Sequence, residues 1–204
     1  MADLPLRARF DALTRAAFAA PLPGGCTVER TDAAGWSAPW EAVRAVCFPG
    51  GPLGNGEDVY SAEERAGFAA LGKELGSTPL SHHLVIREPD GSAVGVMRGS
   101  QRPRADWHMS ITALLPRVQG QGIYTELLRR LLPLLAEAGF RQVTSRHHAD
   151  NNPVLIPKLQ AGFLISGFQI SPRRGLMVEL ACPLSPGLRK AYGFRIDSLR
   201  GGAG

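Results

Sequence analysis

Apolar residues recur along this chain with two periods, and the switches between them mark its elements. Leu6, Phe10, Leu13 and Ala17 fall at helical spacing, which predicts an amphipathic helix within residues 1–20. Prolines and glycines at 21–25 end it, and residues 26–31 alternate as a first strand. Residues 39–48 read as a helix with Trp40, Val43, Val46 and Cys47 on one face, and the stretch 49–56, crowded with glycine and proline, reads as a loop. A second helix is expected over 61–75, where Ser61 and Glu64 have capping-box spacing. Residues 84–87 and 93–97 form a hairpin around Pro89, Asp90 and Gly91. A longer strand follows at 107–115, on which Trp107, Met109, Ile111 and Ala113 share one face and His108, Ser110, Thr112 and Leu114 the other. An amphipathic helix at 123–138 contains Pro133, which predicts a kink or a shortening. Then come a strand at 142–147, a short helix from Asn152 to Gly162, and closing strands at 163–170 and 176–180.

This order gives an α/β (α+β) domain with a mixed sheet rather than regular βαβ alternation. Residues 1–24 form an N-terminal helix, 25–182 the domain, and 183–204 a C-terminal arm or tail. The chain of 204 residues, 44% hydrophobic and 20% charged, is long enough to bury a core without staples. Its three cysteines, Cys26, Cys47 and Cys182, are scattered without ligand spacing, which argues against a metal and for a reducing cytoplasm. The net charge of +5 suits an anionic ligand, but its basic residues cluster only in pairs such as Arg129–Arg130, which argues against nucleic acid. No apolar run is long enough to span a bilayer, and the N-terminus lacks the apolar core of a signal peptide.

Charge therefore points to no partner, and the chemistry rests on one stretch. At 114–128 a strand passes through a turn containing Gly120 and Gly122 straight into a helix. The first helical N–H groups lack intrahelical partners and the helix dipole is positive there, so the turn suits an anion. No Gly-Lys-Ser/Thr follows, and the glycine spacing is not that of a dinucleotide fingerprint.

A second stretch, 150–167, adds an Asn that opens a helix and a Gly-Phe that ends it. Pro116, Gln119, Gly120 and Gly122, followed by Asn151, Gly162 and Phe163, together resemble the GNAT superfamily of acyl-CoA-dependent N-acyltransferases. The coarse element order from 26 to 181 matches too, about three-quarters of the chain. The resemblance implies a mostly antiparallel sheet flanked by helices and splayed beside Leu114–Pro116. It implies acetyl-CoA or another acyl-CoA as co-substrate, with no metal. Gln119, Gly120, Gln121, Gly122, Ile123 and Tyr124 would offer amides to the phosphates. Leu114 and Leu115 would supply backbone groups to pantetheine, one of their amides polarising the thioester carbonyl, and Asn151 would bond pantetheine from the far wall. Tyr124 stands where the family has a small residue.

The family's thiolate-protonating Tyr is replaced by Lys158, read either as a proton donor or as a solvent-facing or phosphate-binding helix residue. His108 is the candidate base for an amine acceptor, or a structural histidine; one of His147 and His148 enters the cleft; Glu29 is a weaker candidate; His82 and His83 are structural. Trp36, Trp40 and Phe48 lie where the family builds its acceptor site. The leading expectation is direct acyl transfer to a primary amine in a ternary complex, by a monomer or homodimer, with no cysteine placed as nucleophile. The alternative is a GNAT-shaped acyl-CoA-binding or sensor module without turnover.

Overall fold

The structure is a computed structural model that describes residues 6–48, 79–171 and 174–199; the expected loop at 49–56 and helix at 61–75 lie outside the described residues. In chain order the elements are α1 (Leu6–Ala17), β1 (Thr27–Thr31), α2 (Ala33–Cys47), β2 (Ser81–Arg87), β3 (Ala93–Arg102), β4 (Asp106–Leu114), α3 (Ile123–Glu137), β5 (Gln142–His148), α4 (Asn152–Gln160), β6 (Leu164–Ser171), β7 (Gly175–Pro183) and α5 (Pro186–Leu199). The strands form one seven-stranded sheet in the order β1-β2-β3-β4-β5-β7-β6. Every neighbouring pair is antiparallel except β4–β5, which is parallel. The β4–β5 connection needs a crossover, and α3 supplies it.

Two apolar clusters cover the sheet. In the larger, Phe10 and Leu13 of α1 and the stripe Leu127, Leu128, Leu131, Leu134 and Leu135 of α3 pack on Leu84, Ile86, Met97, Trp107, Met109 and Val143. In the smaller, Trp36 and Val43 of α2 meet Val85, Val96 and Ala113. Residues 84–86 alternate between the two clusters, so β2 is apolar on both faces.

Four expectations are amended. The α2 helix begins at Ala33 rather than Pro39, because the Asp32 carboxylate caps it, accepting from Gly35 N–H at 2.8 Å. Its inward stripe is Trp36, Trp40, Val43 and Cys47, while Val46 is exposed. The α3 helix runs on through Pro133, which lies on the solvent face, where the carbonyl it leaves unbonded can meet water. Residues 186–199, expected in an arm or tail, form α5, whose Arg189 Nε donates to the Pro183 carbonyl at 3.0 Å.

The fourth amendment matters most for function. In the β3–β4 ladder Arg98 faces Ile111 but Gly99 faces Met109, so Ser110 is an extra, bulged residue. A bulge flips the alternation beyond it. Trp107 and Met109 therefore share the larger cluster with Leu114, whereas Ile111 and Ala113 face α2. His108 does not lie on the face of Thr112 and Leu114, as unbroken alternation had placed it.

Candidate functional site

The parallel strands part company early. Residues 106–108 of β4 pair with 142–144 of β5, and no ladder continues beyond His108–Thr144, although β4 runs on to Leu114 and β5 to His148. This fork opens a free strand edge toward the helix entrance. Leu115 N–H is already spent on the Val94 carbonyl, at 2.8 Å. By antiparallel alternation Leu114, opposite Gly95, turns its N–H and C=O away from β3 into the fork. The amide that faces the opening is thus Leu114's, not Leu115's. The Leu114 carbonyl accepts from Gln119 Nε2 at 2.7 Å and from the Cys47 thiol at 3.2 Å. Gly95 makes room for Leu114, since a Cβ there would lie 2.5 Å from Leu114 Cδ2.

The turn after β4 ends at Gly122, the N-cap of α3, with φ 81° and no side-chain cap. Gly120 also has positive φ, 73°, which a side chain would strain. A Cβ at Gly120 would meet nothing within 4 Å, and one at Gly122 only Pro23, at 3.9 Å. The first α3 amide to find a helical carbonyl is Glu126 N–H, on Gly122 at 2.9 Å. The N–H groups of Ile123, Tyr124 and Thr125 therefore point out of the helix end with no intrahelical acceptor. Side chains brace this end: Gln121 Nε2 donates to the Arg117 carbonyl at 2.9 Å, and Arg130 donates to the carbonyls of Ala20 and Pro21 behind α3.

A cavity of about 630 Å³ lies between the fork, this turn, the end of α2 and the start of α4. Leu114, Gln119, Gly120 and Gly122 line one side, Ile123 and Tyr124 the helix entrance, and Asn151 the far wall. Leu115, Gln121, His108 and Lys158 are not on its wall. Tyr124 packs its ring against the larger cluster, and burial holds its phenol well above the usual range; the hydroxyl finds no partner among the described residues. Cys47, Thr112, Thr125 and Pro157 also line the cavity. Strand alternation had put Thr112 on the face of Leu114, but sequence patterning carried no signal for Cys47, Thr125 and Pro157, because their approach to the fork is tertiary. Burial raises the Cys47 pKa, and its S–H is spent on Leu114, so it stands as a thiol rather than a thiolate nucleophile.

Lys158 is not solvent-facing: it is 1% exposed, beneath the fork. Its Nζ donates to Ser145 Oγ at 2.8 Å, lies 3.5 Å from Met109 Sδ and sits 4.5 Å from the centre of the Phe163 ring. Among the described residues it has no salt-bridged carboxylate, and burial lowers its pKa to about 7, against a small raising influence from Cys182.

His108 holds the last position of β4 that pairs with β5. The Thr144 hydroxyl donates to the Trp107 carbonyl at 3.3 Å, so its oxygen accepts from His108 Nδ1–H at 3.0 Å, and Nε2 carries the lone pair. Burial, then Arg102, Arg146 and Lys158, lowers the His108 pKa to about 4. Glu29 pairs with Arg87 on β1–β2 at 2.7 Å, across the sheet from the fork. Among the described residues no cluster of three or more His, Cys, Asp or Glu could hold a metal, and no helix is long and apolar enough to cross a membrane.

Solved structures share this architecture. The ribosomal-protein-S18-alanine N-acetyltransferase from Escherichia coli superposes with a TM-score of 0.56 at 14% identity, over 78% of this chain and 94% of that one. The Salmonella typhimurium protein yncA, solved with its cofactor acetyl-CoA, gives 0.55 at 19% identity, over 79% and 95%. Ard1 from Thermoplasma volcanium gives 0.54 at 18%, over 78% and 97%. At these identities the likeness establishes the fold. No curated protein matches the sequence. A family model, however, matches residues 51–163, more than half of the chain, and it describes the Acetyltransferase (GNAT) family. With the forked sheet and the glycine turn leading into α3, that match makes this chain a member of the GNAT acetyltransferase family.

Proposed function

We propose that the protein transfers an acyl group, most simply acetyl, from acyl-CoA to a primary amine in a ternary complex. The observation that carries this reading is the fork beyond His108–Thr144, which leads directly to the uncapped amides of α3. The residues present fit an acyl-CoA. The Leu114 amide faces the opening as a strand neighbour's would, the amides of Ile123, Tyr124 and Thr125 suit phosphate oxygens, and both turn glycines leave open space above the backbone. Asn151 stands on the opposite wall. Acyl-CoA, when bound, supplies the activated thioester.

The protein's own part is to orient and to move protons. Leu114 N–H is the amide placed to polarise a carbonyl in the fork. Lys158 holds a proton on Nζ beneath it, and a lysine lowered to about 7 donates far more readily at neutral pH than one near its usual value. Cys47, held as a thiol, favours direct attack over a covalent cysteine intermediate.

Calorimetry with acetyl-CoA tests the binding half. Gly122→Trp forces a side chain into positive φ above the helix entrance and is expected to weaken binding at least ~tenfold, about 1.4 kcal/mol. Gln121→Ala, which removes only a brace, should change it little. Equal affinity in wild type and Gly122→Trp would show that the turn is not the phosphate site. Thiol release over a panel of amines tests turnover; tight binding without amine-dependent release would favour a sensor module.

His108 is the proposed base, acting on the amine through water from its Nε2 lone pair. Its removal as His108→Ala is expected to cost on the order of a hundredfold in turnover with acetyl-CoA affinity kept. The acidic limb of the rate profile, falling near the His108 value of about 4, should vanish with it. Wild-type turnover in the variant would leave His108 the structural task of holding Thr144.

A further inference from the structure

The wall beneath the fork holds a chain of polar atoms that the cavity itself does not reach. Lys158 Nζ donates to Ser145 Oγ at 2.8 Å, and Ser145 Oγ lies 3.0 Å from His147 Nε2. Residues 143, 145 and 147 alternate onto one face of β5, which is why a serine and a histidine two positions apart meet one lysine from α4. The serine is 1% exposed and the lysine likewise, whereas His147 is only half-buried. Among the described residues the hydroxyl is the one oxygen bonded to this amine, the other neighbours being a thioether and a ring face.

We infer that Ser145 and His147 form a proton relay through which the buried Lys158 exchanges its proton with the outside of the fold. With Lys158 as the ammonium, Nζ–H donates to Ser145 Oγ and Ser145 O–H donates to His147 Nε2. A shift along the chain moves one proton from Nζ to Oγ and the hydroxyl's own proton to Nε2. It leaves a neutral amine, an unchanged serine and an imidazolium that passes its proton to water. The reverse shift reloads the amine.

The charges around the chain keep the proton on the lysine at rest. Burial, then Lys158, His108 and His148, lowers the His147 pKa to about 3, below the value of about 7 for Lys158. Facing Lys158 from β7 is Cys182, which burial keeps as a thiol despite Arg189 and Lys158; from β4 comes Met109, while the neighbouring His108 lies on the opposite face of the strand and is felt only through its charge. None of these offers the amine a second oxygen. Ser145 and His147 are thus positioning residues acting through Lys158, and the inference rests on the reading of Lys158 as the site's proton carrier.

The test needs no acyl-CoA. The chain has three lysines, Lys73, Lys158 and Lys190, so side-chain nitrogen NMR of the full protein can follow Lys158 alone. On the acidic side of its titration, Ser145→Ala is expected to slow exchange of the Lys158 Nζ protons with water ~tenfold or more, while Ser145→Thr, which keeps the hydroxyl, exchanges within ~threefold of wild type. His147→Phe, at a half-buried position, should slow exchange as Ser145→Ala does and serves if that variant does not fold. Unchanged exchange in Ser145→Ala or His147→Phe, or Ser145→Thr as slow as Ser145→Ala, would overturn the relay. Acetyl-CoA calorimetry on the same samples separates the two ideas: absent binding defeats the acyltransferase reading and leaves the exchange result standing.

Discussion

Replacing Lys158 with methionine is expected to lower turnover by on the order of a hundredfold while making the protein more stable at neutral pH. The two effects have one cause. An amine that is 1% exposed and has no carboxylate partner among the described residues is costly to keep charged, and its pKa falls to about 7. In the unfolded chain the same amine titrates near about 10.4. Between those values the unfolded state binds a proton that the folded state does not, so wild-type stability rises with pH. The slope approaches ~1.4 kcal/mol per pH unit. Below pH 7 both states are protonated and the full penalty, a few kcal/mol, is present. Methionine fills similar space without that penalty and can keep the contacts with Met109 and Phe163.

Urea denaturation of both proteins from pH 6 to about 8.5 should therefore give a rising curve for wild type and a flatter, higher one for Lys158→Met. Above that window the thiols of Cys26 and Cys182, buried, and of Cys47, half-buried, oppose the trend: their raised pKa values mean that the unfolded state loses protons first. Parallel stability curves would show that the amine is not strained in the fold. Undiminished thiol release would show that it moves no proton in the reaction.

Much of the architecture could be read from periodicity, and the reasons it failed elsewhere are specific. The α3 stripe, the β2–β3 hairpin and the glycine turn are local patterns, each set by side-chain spacing or by a backbone conformation that glycine favours. The bulge at Ser110 is not local: it exists only because β3 and β4 fall out of step around Gly99, where a Cβ would lie 2.4 Å from the Trp107 indole nitrogen. That slip moved His108 off the face of Thr112 and Leu114. Likewise Pro39 looked like a helix start until the Asp32 cap placed the start further back. Lys158 was legible as a departure from the family pattern, but its burial was not. Sequence spacing cannot show that Ser145 of β5 and Phe163 beyond α4 would both meet its amine.

The second large effect is acid instability, and it turns on a histidine of β2 that does not line the cavity. His82 is fully buried, edge-on to Phe10 with ring centres 4.9 Å apart. Its Nε2 lies 3.2 Å from Thr14 Oγ1, whose own hydrogen is given to the Phe10 carbonyl at 2.8 Å. Thr14 can then only accept, so Nε2 carries the proton and Nδ1 is a buried lone pair with no partner among the described residues. Protonating Nδ1 would place a charge and an unbonded N–H in the core. Burial, then Arg30 and His83, accordingly lowers the pKa to about 3. The folded value lies below the unfolded one, so the stability is fully present above pH 6.5 and is lost as pH falls toward 3. His108 and His147, at about 4 and about 3, act in the same direction. Three such groups give a slope of up to ~4 kcal/mol per pH unit, large against a typical domain's stability. Wild type is expected to lose stability steeply as the pH falls from 6.5 toward 4. In His82→Leu, apolar and of similar volume, denaturation from pH 4 to 7 should show that slope reduced by about one proton, ~1.4 kcal/mol per unit. An unchanged slope would mean that His82 already takes up its proton inside the folded protein.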